Sequence, residues 1–197
     1  MKVDSLPNIF VFINFCLIDD EGDDWTEASG AFSTMIEGVG YAATYNPNPP
    51  PPATYPLIGT ATFTGPFNTG DITPEIIINS VVGDNDWNLI GNPYPGAIDF
   101  IAFHGYSDST YDNANLIDGC AYLWSHSTPP DSDTNGNEIL NFSQNDYAII
   151  TTGSGCLAGG SGVIPDTYIP SGQSFFVKGL NNGDLVFKNA FLLFMLT

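Results

Sequence analysis

Apolar residues in this chain never run long enough at helical spacing to make an amphipathic helix. They come in short runs, and clusters of Gly, Pro, Asn and Asp cut each run from the next. A helix needs an apolar stripe repeating at i, i+3, i+4 and i+7, whereas a strand needs only a few consecutive or alternating apolar residues between turns. The pattern predicts an all-β chain. Candidate strands are Phe10–Ile18, Trp25–Ala28, Gly40–Tyr45, Gly59–Phe63, Glu75–Asn79, Trp87–Gly91, Cys120–Trp124, Tyr147–Thr151, Gln173–Lys178 and Asp184–Phe187. The punctuation suits that reading, because 21 Gly and 15 Pro supply the dihedrals that tight turns demand. Asp20-Glu21-Gly22-Asp23-Asp24 reads as a hairpin turn and Asn181-Asn182-Gly183-Asp184 as a second tight turn. The run Asn46-Pro47-Asn48-Pro49-Pro50-Pro51-Pro52 reads as an extended polyproline connector, since proline has no N–H to give a ladder.

A weak repeat divides the single domain 1–197 into halves at 1–80 and 81–197. Asp24-Trp25 and Asp86-Trp87 each open a half. Gly38-Val39-Gly40-Tyr41-Ala42-Ala43 parallels Ser171-Gly172-Gln173-Ser174-Phe175-Phe176-Val177, and each is followed by a Gly-led strand. Two such halves packed face to face predict an antiparallel β-sandwich of jelly-roll type. The second half carries a long insertion, about 99–168, rich in Asp, Asn, Ser, Gly and Tyr. Trp87 and Phe175 are expected to anchor the core from matching positions of the repeat.

Charge narrows the partners. The chain has 3 Lys plus Arg against 22 Asp plus Glu, for a net charge of -19. It cannot neutralise a run of phosphates, which excludes nucleic acid, and an anionic membrane surface repels it. No segment reaches the roughly 18 apolar residues of a membrane span. The apolar run Ile9 to Ile18 is interrupted by Asn14 and followed directly by Asp19-Asp20-Glu21, with no small-residue cleavage site. It reads as a strand rather than a signal core. Cys16, Cys120 and Cys156 form no C-x-x-C pair. A Cys120–Cys156 bridge and buried free thiols both remain open.

The most distinctive run is Trp87-Asn88-Leu89-Ile90-Gly91-Asn92-Pro93-Tyr94-Pro95-Gly96-Ala97-Ile98-Asp99. Pro93 and Pro95 fix two φ angles and force the residues before them to be extended, which makes a rigid corner at the end of a strand. Asn88, Asn92 and Asp99 can bond backbone groups left open there. Further on, Gly172 supplies a turn, Gln173 can tie a loop, and Phe175 or Phe176 enters the core. Trp87, Asn92, Pro93, Tyr94, Pro95, Gly172, Gln173 and Phe175 are therefore read as fold-defining.

The same runs carry a resemblance. The Trp87–Asp99 run, Tyr122-Leu123-Trp124 with Thr128-Pro129-Pro130, Asn145-Asp146-Tyr147-Ala148, and Ser171-Gly172-Gln173-Ser174-Phe175-Phe176-Val177-Lys178 follow one another in order. In the front half, Glu37-Gly38-Val39-Gly40-Tyr41-Ala42 and Asn68-Thr69-Gly70-Asp71-Ile72 also fit. Over about residues 14 to 190 the chain resembles a β-rich module of large secreted Bacteroidota surface proteins exported by the type IX secretion system. Met1 to Ile13 and Ala190 to Thr197 depart from that pattern, and no sorting domain is read in the chain. The resemblance implies an extracellular or cell-surface setting, beside neighbouring domains of a larger secreted protein.

Other side chains are weighed for chemistry. Asp131-Ser132-Asp133-Thr134-Asn135-Gly136 has calcium-loop spacing, with Asp131, Asp133 and Asn135 as the oxygen donors and calcium as the cofactor. Phe142 stands where an EF-hand needs its bidentate Glu, so a plain polar loop competes with that reading. Asp19, Asp20, Glu21, Asp23 and Asp24 form a second acidic cluster, and Asp108, Asp112 and Asp118 a third. His104 and His126 lack zinc spacing. Gly153-Ser154-Gly155 and Gly160-Ser161-Gly162 lack the nucleophile-elbow pattern. The aromatic residues Tyr106, Tyr111 and Trp124 are the candidate ligand-binding residues, for a glycan or a surface-protein ligand. The expectation is a non-catalytic extracellular module for adhesion or structural spacing. A carbohydrate-binding module of a secreted hydrolase is the alternative.

Overall fold

A computed structural model describes residues 16–19, 24–27, 35–41, 66–78, 86–124, 146–153 and 155–193. The polyproline run, the strand expected at Gly59–Phe63, the calcium-loop residues Asp131, Asp133 and Asn135, and His126 lie outside the described residues.

The described residues form antiparallel sheets with very little helix. The strands are β1 (Cys16–Asp19), β2 (Asp24–Glu27), β3 (Glu75–Ile76), β4 (Trp87–Gly91), β5 (Ile98–Asp99), β6 (Cys120–Trp124), β7 (Tyr147–Thr151), β8 (Tyr168–Ile169), β9 (Ser174–Lys178) and β10 (Gly183–Asp184). Two short helices, α1 (Phe100–His104) and α2 (Asn113–Leu116), and a 3-10 turn at Asn189–Phe191 complete the described chain. The central sheet is four-stranded, in the order β4-β9-β6-β7. β1 pairs with β2, β10 with β3, and β5 with β8, each antiparallel.

Register decides which side chains share a face. Ile90 lies opposite Phe175, and Asn88 opposite Val177. These residues, with Gly91, Ala121, Ala148 and Ile150, are the buried positions of the sheet. Against them pack Phe100 and Phe103 of α1, Ile72, Ile76, Leu185, Phe187 and Phe191. Phe103 stacks on Phe187 at 4.6 Å and meets Phe175 edge-on at 6.3 Å. Helix α1 is too short to be held by its own hydrogen bonds. Asp99 caps it, accepting from the Ile101 amide at 2.8 Å and the Ala102 amide at 3.4 Å.

One expectation needs correction. Trp87 and Phe175 do not anchor the same core. Trp87 pairs with Lys178 and Phe175 with Ile90, and side chains alternate along a strand, so the two rings point to opposite faces. The span 99–168 contains β6 and β7, which supply half of the four-stranded sheet. Strand β4 is flanked on its other edge by residues 38–40. The Gly40 amide donates to the Leu89 carbonyl at 2.9 Å and the Gly91 amide to the Gly38 carbonyl at 2.9 Å. A Cβ on Gly40 would stand 2.8 Å from the Ile90 carbonyl oxygen, so only glycine permits that approach.

Candidate functional site

The corner after β4 is built on one buried asparagine. Asn92 shares its two Nδ2 protons among the carbonyls of Gly96, Ile169 and Pro170, at 2.8, 3.0 and 3.1 Å. Its Oδ1 accepts from the Tyr94 amide at 3.0 Å. Its backbone N–H donates to the Gln173 carbonyl at 3.0 Å, and its carbonyl accepts from the Gly172 amide at 3.2 Å. Gly172 makes that turn with φ +70°, a left-handed conformation that a Cβ resists. Gln173 donates its side-chain amide to the Ser174 carbonyl at 2.7 Å. The Pro93 carbonyl accepts from Asn68 at 3.0 Å, while Pro95 is exposed. Tyr94 is buried, and its hydroxyl donates to the Gly70 carbonyl at 2.5 Å. Burial, with Asp71 nearby, pushes the phenol up to about 12.

Asn88 and Asn113 do the same work elsewhere. Asn88 clamps Ile77, accepting from its amide at 3.0 Å and donating to its carbonyl at 2.9 Å. Asn113, fully buried, clamps Val186 in the same way, at 3.0 and 2.9 Å, and also donates to the Phe103 carbonyl. Each side chain supplies the donor and acceptor that a neighbouring strand would supply. Loop backbone can thereby be buried without orphaned polar groups.

Two of the candidate ligand residues meet. Lys188 Nζ lies 5.1 Å from the Tyr106 ring centre and 5.5 Å from that of Tyr111, within cation–π range of both. The same ammonium pairs with Asp71 at 2.5 Å. Tyr106 donates its hydroxyl to Asp108, whose other oxygen accepts from the Thr110 and Tyr111 amides at 2.7 and 2.8 Å. The hydrogen bond from Tyr106 chiefly, and then the two amides, hold the Asp108 carboxyl down to about 2. The Asp71 contact keeps Lys188 charged above its ordinary range.

That depression has a sign that can be checked. The ordinary carboxyl value is 3.8. Asp108 therefore stabilises the folded state fully above that value, and the contribution is lost as pH falls toward about 2. Urea midpoints of wild type and Asp108→Asn are expected to differ at pH 5 and to converge as the pH is lowered. A difference that stays constant with pH would show that the carboxylate charge contributes nothing.

Trp124 does not join the two tyrosines. It lies on the sheet face turned away from the core, in a layer of interlocked rings. Trp124 meets Tyr147 at 4.8 Å and 75°, Tyr147 meets Phe176 at 5.8 Å and 80°, and Trp87 meets Tyr122 at 4.9 Å and 85°. Tyr122 and Phe176 are direct cross-strand partners, which joins the contacts into one layer. Burial pushes the Tyr147 phenol up to about 12.

The third acidic cluster does not converge. Asp108 is spent on Tyr106 and its own turn, and Asp118 accepts from the Cys120 amide at 3.2 Å. Among the described residues, no three His, Cys, Asp or Glu side chains are grouped to hold a metal. Cys120 and Cys156 are free thiols. Cys120 alternates with the buried Ala121 and points away from the core, whereas Cys156 packs against the core, so strand geometry keeps them apart. Burial, helped by Asp118, pushes the Cys120 thiol up and so makes it a poor nucleophile.

Lys188, Asp71 and Asn113 are the site residues that sequence reasoning passed over. One signal was present for the first, since each of only three lysines in so acidic a chain will be claimed by carboxylates and aromatic rings. Nothing in the sequence marked Asn113.

These contacts define an antiparallel β domain whose buried asparagines, proline corner and half-buried lysine hold its own loops. Among the described residues no helix is long and apolar enough to cross a membrane. Residues 5–192 match the family described as Domain of unknown function (DUF8693), and the chain belongs to that family. Searches of the curated proteins and of the solved structures return no match.

Proposed function

We propose that this chain is a non-catalytic module of a secreted or cell-surface protein, serving adhesion or the structural spacing of neighbouring domains. The observation that carries the reading is the Lys188 cluster. Tyr106 and Tyr111, the side chains best suited to stack on a ligand, are turned onto the chain's own ammonium. The buried asparagines likewise serve backbone groups of the same chain. The resemblance of the Trp87–Asp99 and Ser171–Lys178 runs to type IX-secreted modules supports the extracellular setting. A sandwich architecture fits as well. The central sheet carries apolar side chains on both faces, and each such face needs a covering layer.

A second reading, a carbohydrate-binding module of a secreted hydrolase, draws on the aromatic layer around Trp124. Its rings meet at 75–85°, so they share no common plane on which a sugar chain could lie. The test is affinity electrophoresis of the purified domain through gels containing neutral polysaccharides, with an assay for released reducing sugar. The module reading expects unretarded migration and no release. Retardation that disappears in Trp124→Ala or Tyr111→Ala would establish the second reading, and sugar release by the pure domain would make it an enzyme.

A further inference from the structure

Residues 66–71 run along the surface from the proline corner toward Lys188 and Asn189, and none of their side chains is buried. Phe67 is 67% exposed. Its hydrogen bonds and ion pair to the rest of the chain are few. Asn68 donates to the Pro93 carbonyl at 3.0 Å, and the Tyr94 hydroxyl to the Gly70 carbonyl at 2.5 Å. The other ties all come from two adjacent residues. Lys188 pairs with Asp71 at 2.5 Å, while Asn189 accepts from the Gly70 amide at 3.2 Å and donates to Thr69 Oγ1 at 2.9 Å. Gly70 bends the segment with φ +85°. Immediately after it the chain changes character, because Ile72 is buried and exchanges backbone bonds with Phe187 at 3.1 and 2.8 Å.

Polar contacts open to water each contribute little net stability, and a segment without apolar burial opens at lower cost than the sheet beneath it. We infer that residues 66–71 form a strap that opens as a local unit while the central sheet stays folded, with Lys188 as its latch. Opening releases the Tyr94 hydroxyl and uncovers the buried ring at the proline corner. Lys188 suits the role because it is gripped from two sides, by Asp71 of the strap and by Tyr106 and Tyr111 of the body. The body contacts persist when the strap lifts, so the latch stays poised to close again.

Amide hydrogen exchange followed by NMR tests this in wild type, Lys188→Gln and Lys188→Arg. In wild type the Gly70 amide should exchange at least about tenfold faster than the Ile90, Phe175 and Ile150 amides of the sheet. Lys188→Gln should speed Gly70 severalfold more than it speeds the sheet amides. Lys188→Arg, which keeps the charge, should restore the wild-type rate. Three results would overturn the strap: Gly70 and the sheet exchanging together in wild type, Lys188→Gln leaving Gly70 unaltered, or Lys188→Gln speeding every amide alike.

Discussion

Phe175→Ala is expected to destabilise the domain by about 3–5 kcal/mol, the range for truncating a fully buried phenylalanine. The ring is 1% exposed and meets Phe100 and Phe103 edge-on at 6.1 and 6.3 Å. It stands opposite Ile90 in the middle of the central sheet, where a cavity would be lined by residues of several elements that cannot all move inward. Trp87→Ala should cost less, because Trp87 is half-buried and leans on Tyr122 on the other face. Urea unfolding measures both. A loss below about 1 kcal/mol for Phe175→Ala would mean that the ring is not buried as described.

Asn92→Ala is expected to cost about 3 kcal/mol or more, although it removes only a small polar side chain. Asn92 is 3% exposed and serves the Gly96, Ile169 and Pro170 carbonyls and the Tyr94 amide at once. Deleting it leaves those groups to find water or go without, at about 1–3 kcal/mol for each buried group left unpaired. Asn92→Asp is the sharper comparison. The carboxylate keeps the shape and can still accept from Tyr94, but it faces three carbonyl oxygens with no proton to give. It should be at least as harmful as alanine. If Asn92→Asp were close to wild type in stability, the donor bonds would not be what holds the corner.

The central strands were readable because they meet the two conditions sequence can display, a short apolar run and turn residues at both ends. Trp87–Gly91, Cys120–Trp124 and Tyr147–Thr151 have the bounds read from sequence, and β9 starts one residue later than expected. Facing was less readable. Whether Trp87 shares a side with Phe175 depends on the register between β4 and β9, and register belongs to the pair rather than to either strand. The short helices escaped notice because α1 and α2 have 5 and 4 residues, too few to show a helical period. Around the candidate site, Asn92, Tyr94 and Gly172 stood out because proline and glycine mark special backbone nearby. The meeting of Lys188 with Asp71 spans 117 positions and could not be read locally. Tyr106 and Tyr111 were visible as aromatic residues, but their shared partner was not.

Tyr106 and Tyr111 serve the chain's own lysine, and the Tyr111–Lys188 contact is the simplest instance. A double-mutant cycle by urea unfolding, with Tyr111→Ala, Lys188→Met and both together, measures it directly. Each single variant is expected to lower the unfolding midpoint, and the double variant to lower it little further than the worse single one. Fully additive losses, or a Tyr111→Ala variant as stable as wild type, would contradict this role and leave the tyrosine free to serve a ligand.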